Sequence, residues 1–425
     1  LKLKRTKIKL VADSKRIILL PFNPGNELRI KNIINRILAL NESQVSELLK
    51  DIHEKFSKRH FEIENIFLKN YSMVRKYVPR IVSHEEEILI GSYFSKEYSI
   101  ESAALFNPSI VPHPDQTDLG EDEMRIILSL RATGEGHISS IEFRSGIINK
   151  QLEVKIDEVS TLAILPYKRN SSPVLMHHVN NDMLESNYDI EFSGKEKLSE
   201  RVIFPYSRTE SNGIEDARFV KFFNDDTSFV YYATFTAYDG HRILSEIIET
   251  YDFTKFSIRT LTGNGAKDKG MALFPEKIND KFRMISRQDG ENIFIMSSDN
   301  IYDWNNPQIL RMPVFDWEFV QVGNCGSPIK TEKGWLLLTH AVGPLRTYVI
   351  SAILLDLKNP ARVIGQLSEP LIIANDEERD GYVPNVVYSC GSMLFNKNLI
   401  IPFAMSDSAS SFATMPVSDL LGMMK

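Results

Sequence analysis

Between about Ser95 and Lys425 the chain is a succession of short runs rich in β-branched, aromatic and aliphatic residues, each bounded by turn residues. Nothing else in the sequence constrains the fold as strongly. The runs are Arg125–Arg131, Ser160–Leu165, Phe229–Tyr238, Phe282–Arg287, Asn292–Ser297, Gly334–His340 and Thr347–Leu355. Strands of this length and spacing predict an all-β sandwich, barrel or propeller. A weak repeat favours the propeller. "ETYDFTKF" (249–256) and "SSDNIYDW" (297–304) each follow a β run, and Phe253 and Ile301 lie 48 positions apart, as do Phe256 and Trp304. "LLDLKNP" (354–360) follows another strand pair at a comparable interval. A recurring unit near ~50 residues is the size of a four-stranded blade. A short helix is expected at Val417–Met423.

Residues 1–94 have a different texture. Glu27–Leu40, Ser43–Arg59 and Phe61–Tyr77 carry apolar residues at helical spacing; Val45, Leu48, Leu49, Ile52 and Phe56 form one stripe. Asn41 or Ser43 is placed to cap the second helix, and Pro79 ends the third. Leu1–Leu10 alternates basic and apolar residues, which suits a strand better than a secretory segment, so a cytoplasmic location is expected. The chain thus divides into a mostly helical N-terminal extension (1–94) and a β region (95–425). The extension reads as a lid, a surface for a homo-oligomer, or a stabilising pack.

Composition removes several functions. The formal net charge of -6 argues against a nucleic-acid partner held by phosphate contacts. No apolar run is long enough to span a membrane. The two cysteines, Cys325 and Cys390, are too few for a disulfide framework or a four-ligand zinc site and read as free buried thiols. His177-His178 has no companion cluster, so no metal is expected, and neither a phosphate-binding Gly-x-x-x-x-Gly-Lys nor a Gly-x-Ser-x-Gly elbow occurs.

What remains is carboxylates, aromatics and Asn, Arg and His, the residue types that pair with sugar hydroxyls. In "NGIEDARFV" (212–220), Glu215 and Asp216 precede Arg218 at a strand start. Strand alternation predicts that one of the two acids faces a central channel. A turn with a surface ion pair explains the same string. In "KDKGMALFPEKI" (267–278), Lys269 precedes an apolar run and Glu276 follows it. "SRQDGENIFIM" (286–296) puts Arg287, Asp289 and Glu291 in one hairpin, where Asp289-Gly290 is an ordinary turn pair. His340 lies in the apolar strand of "GNCGSPIKTEKGWLLLTHAVG" (323–343). Asn107 and Ser109 in "FNPSIVPHPDQ", Arg131 in "LSLRATGEG", and Asp407 in "FAMSDSASSFA" complete the polar candidates. Each has a plain structural explanation as well.

Taken in order, "FNPSIVP", "LSLRA", "GIEDARF", "KGMALFPEKI", "GNCGSPI", "GWLLLTHAVG", "YVISAILLDLKNPARVI" and "GYVPNVVYSCG" resemble glycoside hydrolase family 130, the β-mannoside phosphorylases and some β-mannosidases. The resemblance covers roughly Phe106 to the C-terminus. It implies a five-bladed β-propeller with the helical extension outside the family core. It further implies an inverting enzyme acting on the non-reducing terminal mannose of a β-manno-oligosaccharide, with no cofactor. The family's general acid matches Asp216 in Glu215-Asp216-Ala217-Arg218, where Ala217 stands for proline. Similarity assigns Asn107, Ser109, Arg131, Glu215, Arg218 and Asp407 to the substrate, and Lys269, Arg287 and His340 to the phosphate or water side. Three strings depart from the phosphorylase pattern: Lys269-Gly270 where Lys-Asp is common, Ser286-Arg287-Gln288 where His-Arg-Pro is common, and Phe403-Ala404-Met405-Ser406-Asp407 for Tyr-Gly-Ala-Ala-Asp. On these the sequence leans to a hydrolase. A hydrolase needs a second carboxylate roughly 6.5–9.5 Å from the acid to activate water, and Glu276, Asp289 and Glu291 are the candidates. The alternative is a phosphorylase that uses inorganic phosphate as co-substrate and releases mannose 1-phosphate. A non-catalytic glycan-binding propeller and an endo-acting furanosidase are remoter readings.

Overall fold

The computed structural model describes residues 3–169 and 186–425, so His177 and His178 lie outside the described residues. The architecture is mostly β. Five antiparallel meanders follow one another along the chain. The first contains Ala104–Pro112, Met124–Thr133, Ser139–Ile148 and Val154–Ile156. The second contains Gly213–Phe223, Phe229–Tyr238, Ile243–Thr250 and Lys255–Thr260. The third runs from Ala272–Leu273 through Phe282–Ser286 and Ile293–Ser298 to Gln308–Arg311. The fourth runs from Gln321–Asn324 through Trp335–Val342 and Tyr348–Leu355 to Val363–Gln366. The fifth holds Val387–Tyr388, Asn398–Met405 and Ala409–Pro416, and its outer strand comes from the start of the chain: Lys4–Arg5 and Leu10–Val11 both pair with Ala409–Pro416. The alternating Leu1–Leu10 segment therefore supplies a strand. The first two meanders share one parallel pair, Gly213 with Ser139.

The apolar core explains why successive meanders stay together. Phe143, Phe219, Tyr231, Phe253 and Phe256 fill the space between the first and second. Phe222, Leu273 and Met284 pack between the second and third, and Ile285, Ile295, Trp335 and Leu337 between the third and fourth. Leu338, Ile350, Leu399 and Phe403 join the fourth to the fifth. Leu128, Leu130, Ile400 and Phe412 then join the fifth back to the first. Each sheet buries both faces, so its central strands read as apolar runs rather than as clean alternation. Cys325 and Cys390 are buried and free.

Four helices precede these sheets: α1 Glu27–Leu38, α2 Glu42–Phe56, α3 Ile63–Val74 and α4 His84–Tyr93. Asn41 caps α2 in a reciprocal box with Gln44. α4 was not among the expected helices. Its apolar residues Ile88, Leu89 and Ile90 are contiguous, so they leave no stripe, but Ser83 and Glu86 form a second capping box that marks its start. Ile17–Pro21 pairs with Ser95–Ser99 beside the helices. Val417–Met423 forms the last helix, α5, as expected. The run Ser160–Leu165 does not form a strand. It makes isolated bridges, Ile17 with Leu162 and Ile164 with Arg201, because it crosses between elements instead of extending a sheet. Among the described residues no helix is long and apolar enough to cross a membrane.

The segment after Leu10 is fastened by buried charge. Arg16, Glu101, Glu142 and Arg144 are all at most 3 % exposed. Arg16 meets Glu101 at 2.7 Å and Glu142 at 2.6 Å, while Arg144 meets Glu101 at 2.5 Å. Arg16 also donates to the Ser199 carbonyl at 2.7 Å.

Candidate active site

Two β-bulges lying side by side build the site. In the strand Ala104–Pro112 the register shifts between Phe106 and Ser109, and in Gly213–Phe223 it shifts between Glu215 and Arg218. The residues at the shifts, Asn107 (φ 49°) and Asp216 (φ 54°), adopt the left-handed conformation. Asn and Asp tolerate that region better than other non-glycine residues. Asn107 Nδ2 donates to Asp216 Oδ1 at 2.7 Å, tying the two bulges together. A bulge also breaks strand alternation. Glu215 and Asp216 consequently both line the same cavity, contrary to the expectation that one acid would face away.

That cavity has a volume of about 220 Å³. Eight of the expected site residues line it: Asn107, Arg131, Glu215, Asp216, Lys269, Arg287, His340 and Asp407. Every meander sends a residue there. Arg131 Nη2 donates to Glu215 Oε1 at 2.9 Å, and its Nη1 lies 3.4 Å from Asp216 Oδ1. Its Nε donates to Ser139 Oγ at 2.9 Å, and the guanidinium lies over the Phe106 ring at 5.1 Å. Lys269 Nζ meets Glu215 Oε2 at 2.5 Å. Four cations, Arg131, Lys269, Arg287 and Arg346, face three carboxylates, Glu215, Asp216 and Asp407. The cavity lining is thus net positive in a chain whose formal charge is -6.

The two aspartates are driven apart in acidity. Burial alone would raise Asp216, but the charges of Arg131 and Arg218, the Asn107 hydrogen bond and Lys269 outweigh it and hold the carboxyl below the usual aspartate range. Asp407 is pushed up to about 6, by burial and then by the charge of Asp216, against the opposing pull of Arg131 and Arg346. Asp407 is also left-handed (φ 49°). His340 is pulled down to about 3 by burial, followed by the charge of Arg287. It is therefore neutral near pH 7, and its Nδ1 lies 3.0 Å from the Asn324 carbonyl, to which it donates.

Two expected substrate contacts stand behind the wall instead. Ser109 is fully buried, and its hydroxyl accepts the Phe219 N–H at 3.1 Å. Arg218 is 2 % exposed; it donates to the Asp216 carbonyl at 3.0 Å and to the Tyr388 hydroxyl at 2.6 Å. Both brace the bulge that carries Asp216.

None of the three proposed water-activating carboxylates lines the cavity. Glu276 pairs with Lys330 at 2.5 Å and bridges to Phe223, at the far end of the strand that carries Asp216. Seven residues of extended chain amount to roughly 20 Å. Asp289 Oδ1 accepts the N–H groups of Glu291 and Asn292, so it closes the turn, and the Glu291 side chain is exposed outside the cavity.

Sequence reasoning missed Phe106, Asn324, Arg346, Tyr348 and Tyr388 as lining residues. Asn324 and Tyr388 lie in strings quoted above, GNCGSPI and GYVPNVVYSCG, yet nothing in spacing separates them from ordinary strand residues. Asn324 Nδ2 donates to the Gly270 carbonyl at 2.5 Å, fixing the loop that carries Lys269. Gly270 itself has φ +82°, and it contributes backbone where a side chain would be strained.

Comparison with known proteins agrees with this geometry. Residues 137–425 match the glycoside hydrolase family 130 model, described as β-1,4-mannooligosaccharide phosphorylase. A 1,2-β-oligomannan phosphorylase from a Thermoanaerobacter species is 32 % identical over 232 residues, covering 53 % of this chain and 75 % of that protein. The β-1,2-mannobiose phosphorylase of Listeria innocua is 28 % identical over 228 residues, covering 52 % of this chain and 62 % of that protein. The chain thus spans a little less than two thirds of that second relative. The solved structure of the Listeria innocua enzyme with β-1,2-mannobiose superposes with a TM-score of 0.53 at 21 % identity, covering 77 % of this chain and 92 % of that one. The match supports a common fold.

Proposed function

The chain belongs to glycoside hydrolase family 130 and is an enzyme of that family's type, and from that premise we propose that it is a β-mannoside phosphorylase. The leaning toward hydrolysis drawn from the sequence is not supported. Both relatives described above are named phosphorylases. Of the departures that suggested hydrolysis only Gly270 lines the cavity: the Gln288 amide donates to Gly265 and Ser286, Ser286 is buried, and Lys269 and Arg287 themselves are retained.

In this reading the five meanders are the blades of a five-bladed β-propeller, closed by Lys4–Arg5, and the cavity is its central funnel. The sheet order and the apolar contact between fifth and first meanders support it. Residues 95–425 are the catalytic unit, and the helices of 1–94 pack beside it. The substrate is the non-reducing mannose of a β-manno-oligosaccharide.

The observation that carries the reading is the net positive cavity from which the proposed bases are absent. A phosphorylase needs no base, because its nucleophile is already an anion. Phosphate attacks the anomeric carbon from the face opposite the leaving oxygen. The C1–O bond to the leaving sugar breaks as the new C1–O–P bond forms, and the product is α-mannose 1-phosphate. Asp216 gives a proton to the leaving oxygen, directly or through a sugar hydroxyl. It must first be protonated. A mannoside that excludes water and takes over Asn107 and Arg131 removes two of the four partners that hold Asp216 ionised, and deeper burial then pushes its carboxyl upward. Lys269 and Arg287 attract the phosphate.

The reverse reaction tests this. Mannose 1-phosphate supplied with free mannose should give a disaccharide and release inorganic phosphate in equal amounts. Failure to release phosphate with any of mannose, β-1,2-mannobiose or β-1,4-mannobiose as acceptor would sink the phosphorylase reading.

A further inference from the structure

The cations of the cavity are not equally available. Arg131 is engaged by Glu215, Asp216 and Ser139. Lys269 is paired with Glu215 at 2.5 Å. Arg287 faces Asp268 at 3.7 Å and donates to the side-chain oxygen of Gln321 at 3.0 Å once that amide is oriented to suit both of its neighbours. Arg346 lines the same cavity and its charge acts on Asp407, yet among the described residues its guanidinium makes no ion pair or hydrogen bond. The Tyr348 ring centroid lies 5.9 Å from its guanidinium.

The backbone beneath Arg346 is unusual. It belongs to the turn between Trp335–Val342 and Tyr348–Leu355, closed by Gly343 N–H to Thr347 O and Thr347 N–H to Pro344 O. Leu345 (φ 56°) and Arg346 (φ 57°) are consecutive left-handed residues, and neither is Gly, Asn or Asp. Such a conformation is strained for residues that carry a Cβ. Packing does not repay it, because Leu345 is 94 % exposed. What the turn achieves is to set a guanidinium at the cavity.

We infer that Arg346 is a phosphate-binding residue, the one that engages the non-transferring oxygens of the incoming phosphate and of mannose 1-phosphate in reverse. This rests on the phosphorylase reading. A planar guanidinium with its donors uncommitted can grip two phosphate oxygens at once. The paired cations can do so only by giving up a carboxylate. Arg346 therefore sets affinity for phosphate, while Arg131 and Asp216 handle the sugar.

The experiment is a pair of saturation curves for the full chain, one in phosphate at saturating β-mannobiose and one in β-mannobiose at saturating phosphate. They are measured for the wild type, Arg346→Met and Arg346→Lys. A charge-assisted hydrogen bond contributes about 1.5–3 kcal/mol, so Arg346→Met should raise the KM for phosphate by roughly 10- to 150-fold. The KM for β-mannobiose should stay within about twofold, and Arg346→Lys should recover part of the loss. An unchanged phosphate KM in Arg346→Met, or a rise confined to the sugar KM, overturns the assignment. The wild-type curve separates failure of the underlying reading: free mannose released without dependence on phosphate would refute the phosphorylase itself.

Discussion

Two clusters of paired charges use the same residue types to opposite ends. Arg16, Glu101, Glu142 and Arg144 are sealed from water, sit on backbone without positive φ and hold the N-terminal segment against the first meander. Arg131, Glu215, Asp216 and Lys269 stand around a cavity of about 220 Å³, and Asp216 is held there in left-handed backbone by a bulge. Charge pairing alone does not distinguish a fastening from a reaction site. Strain and access do. Asn107, Asp216, Arg346 and Asp407 all line the cavity with positive φ, whereas no member of the sealed cluster has it.

The largest effect expected from this contrast is on turnover. Asp216→Asn should lower kcat by about 10²–10⁴-fold, the range for loss of a general acid. Its melting temperature should move little; a variant that keeps more than a tenth of wild-type kcat would remove Asp216 from that role. The sealed cluster should show the reverse pattern. Arg16→Met strands two buried carboxylates and should cost about 3–5 kcal/mol in denaturant unfolding. Turnover per folded molecule should be preserved, and unchanged stability would contradict the fastening role.

A pH test sharpens the comparison inside the cavity. Asp407 is raised from 3.8 to about 6, so its contribution to stability is complete below pH about 4 and is lost as pH rises through about 6. The wild-type minus Asp407→Asn stability difference should fall across that window. A flat difference curve would show that Asp407 titrates normally. The smallest effect belongs to Glu276, whose ion pair with Lys330 is a surface pair. Glu276→Gln should change stability by less than about 1 kcal/mol and kcat by less than about twofold. A large loss of kcat would return Glu276 to the candidates for a base.

The β runs were readable because sheets buried on both faces leave long apolar strings; Phe229–Tyr238 coincides with its strand end to end. Ser160–Leu165 is also a mainly apolar run but finds no strand partner along its length, which a local pattern cannot reveal. The site was legible in part for the same reason. Asn107, Asp216 and Arg131 stood out as polar residues in apolar strings. The alternation rule then misplaced one acid of the Glu215-Asp216 pair, because a bulge is a property of two paired strands and not of one. Glu276 and Glu291 were near Lys269 and Arg287 in sequence and outside their cavity in space. Arg346 left no signal at all, since its availability depends on which carboxylates the other cations have already engaged.

The most direct test is product analysis with β-linked mannobioses, in the presence and absence of inorganic phosphate. The account predicts mannose 1-phosphate, formed only when phosphate is present. Free mannose released at equal rates under both conditions would contradict it.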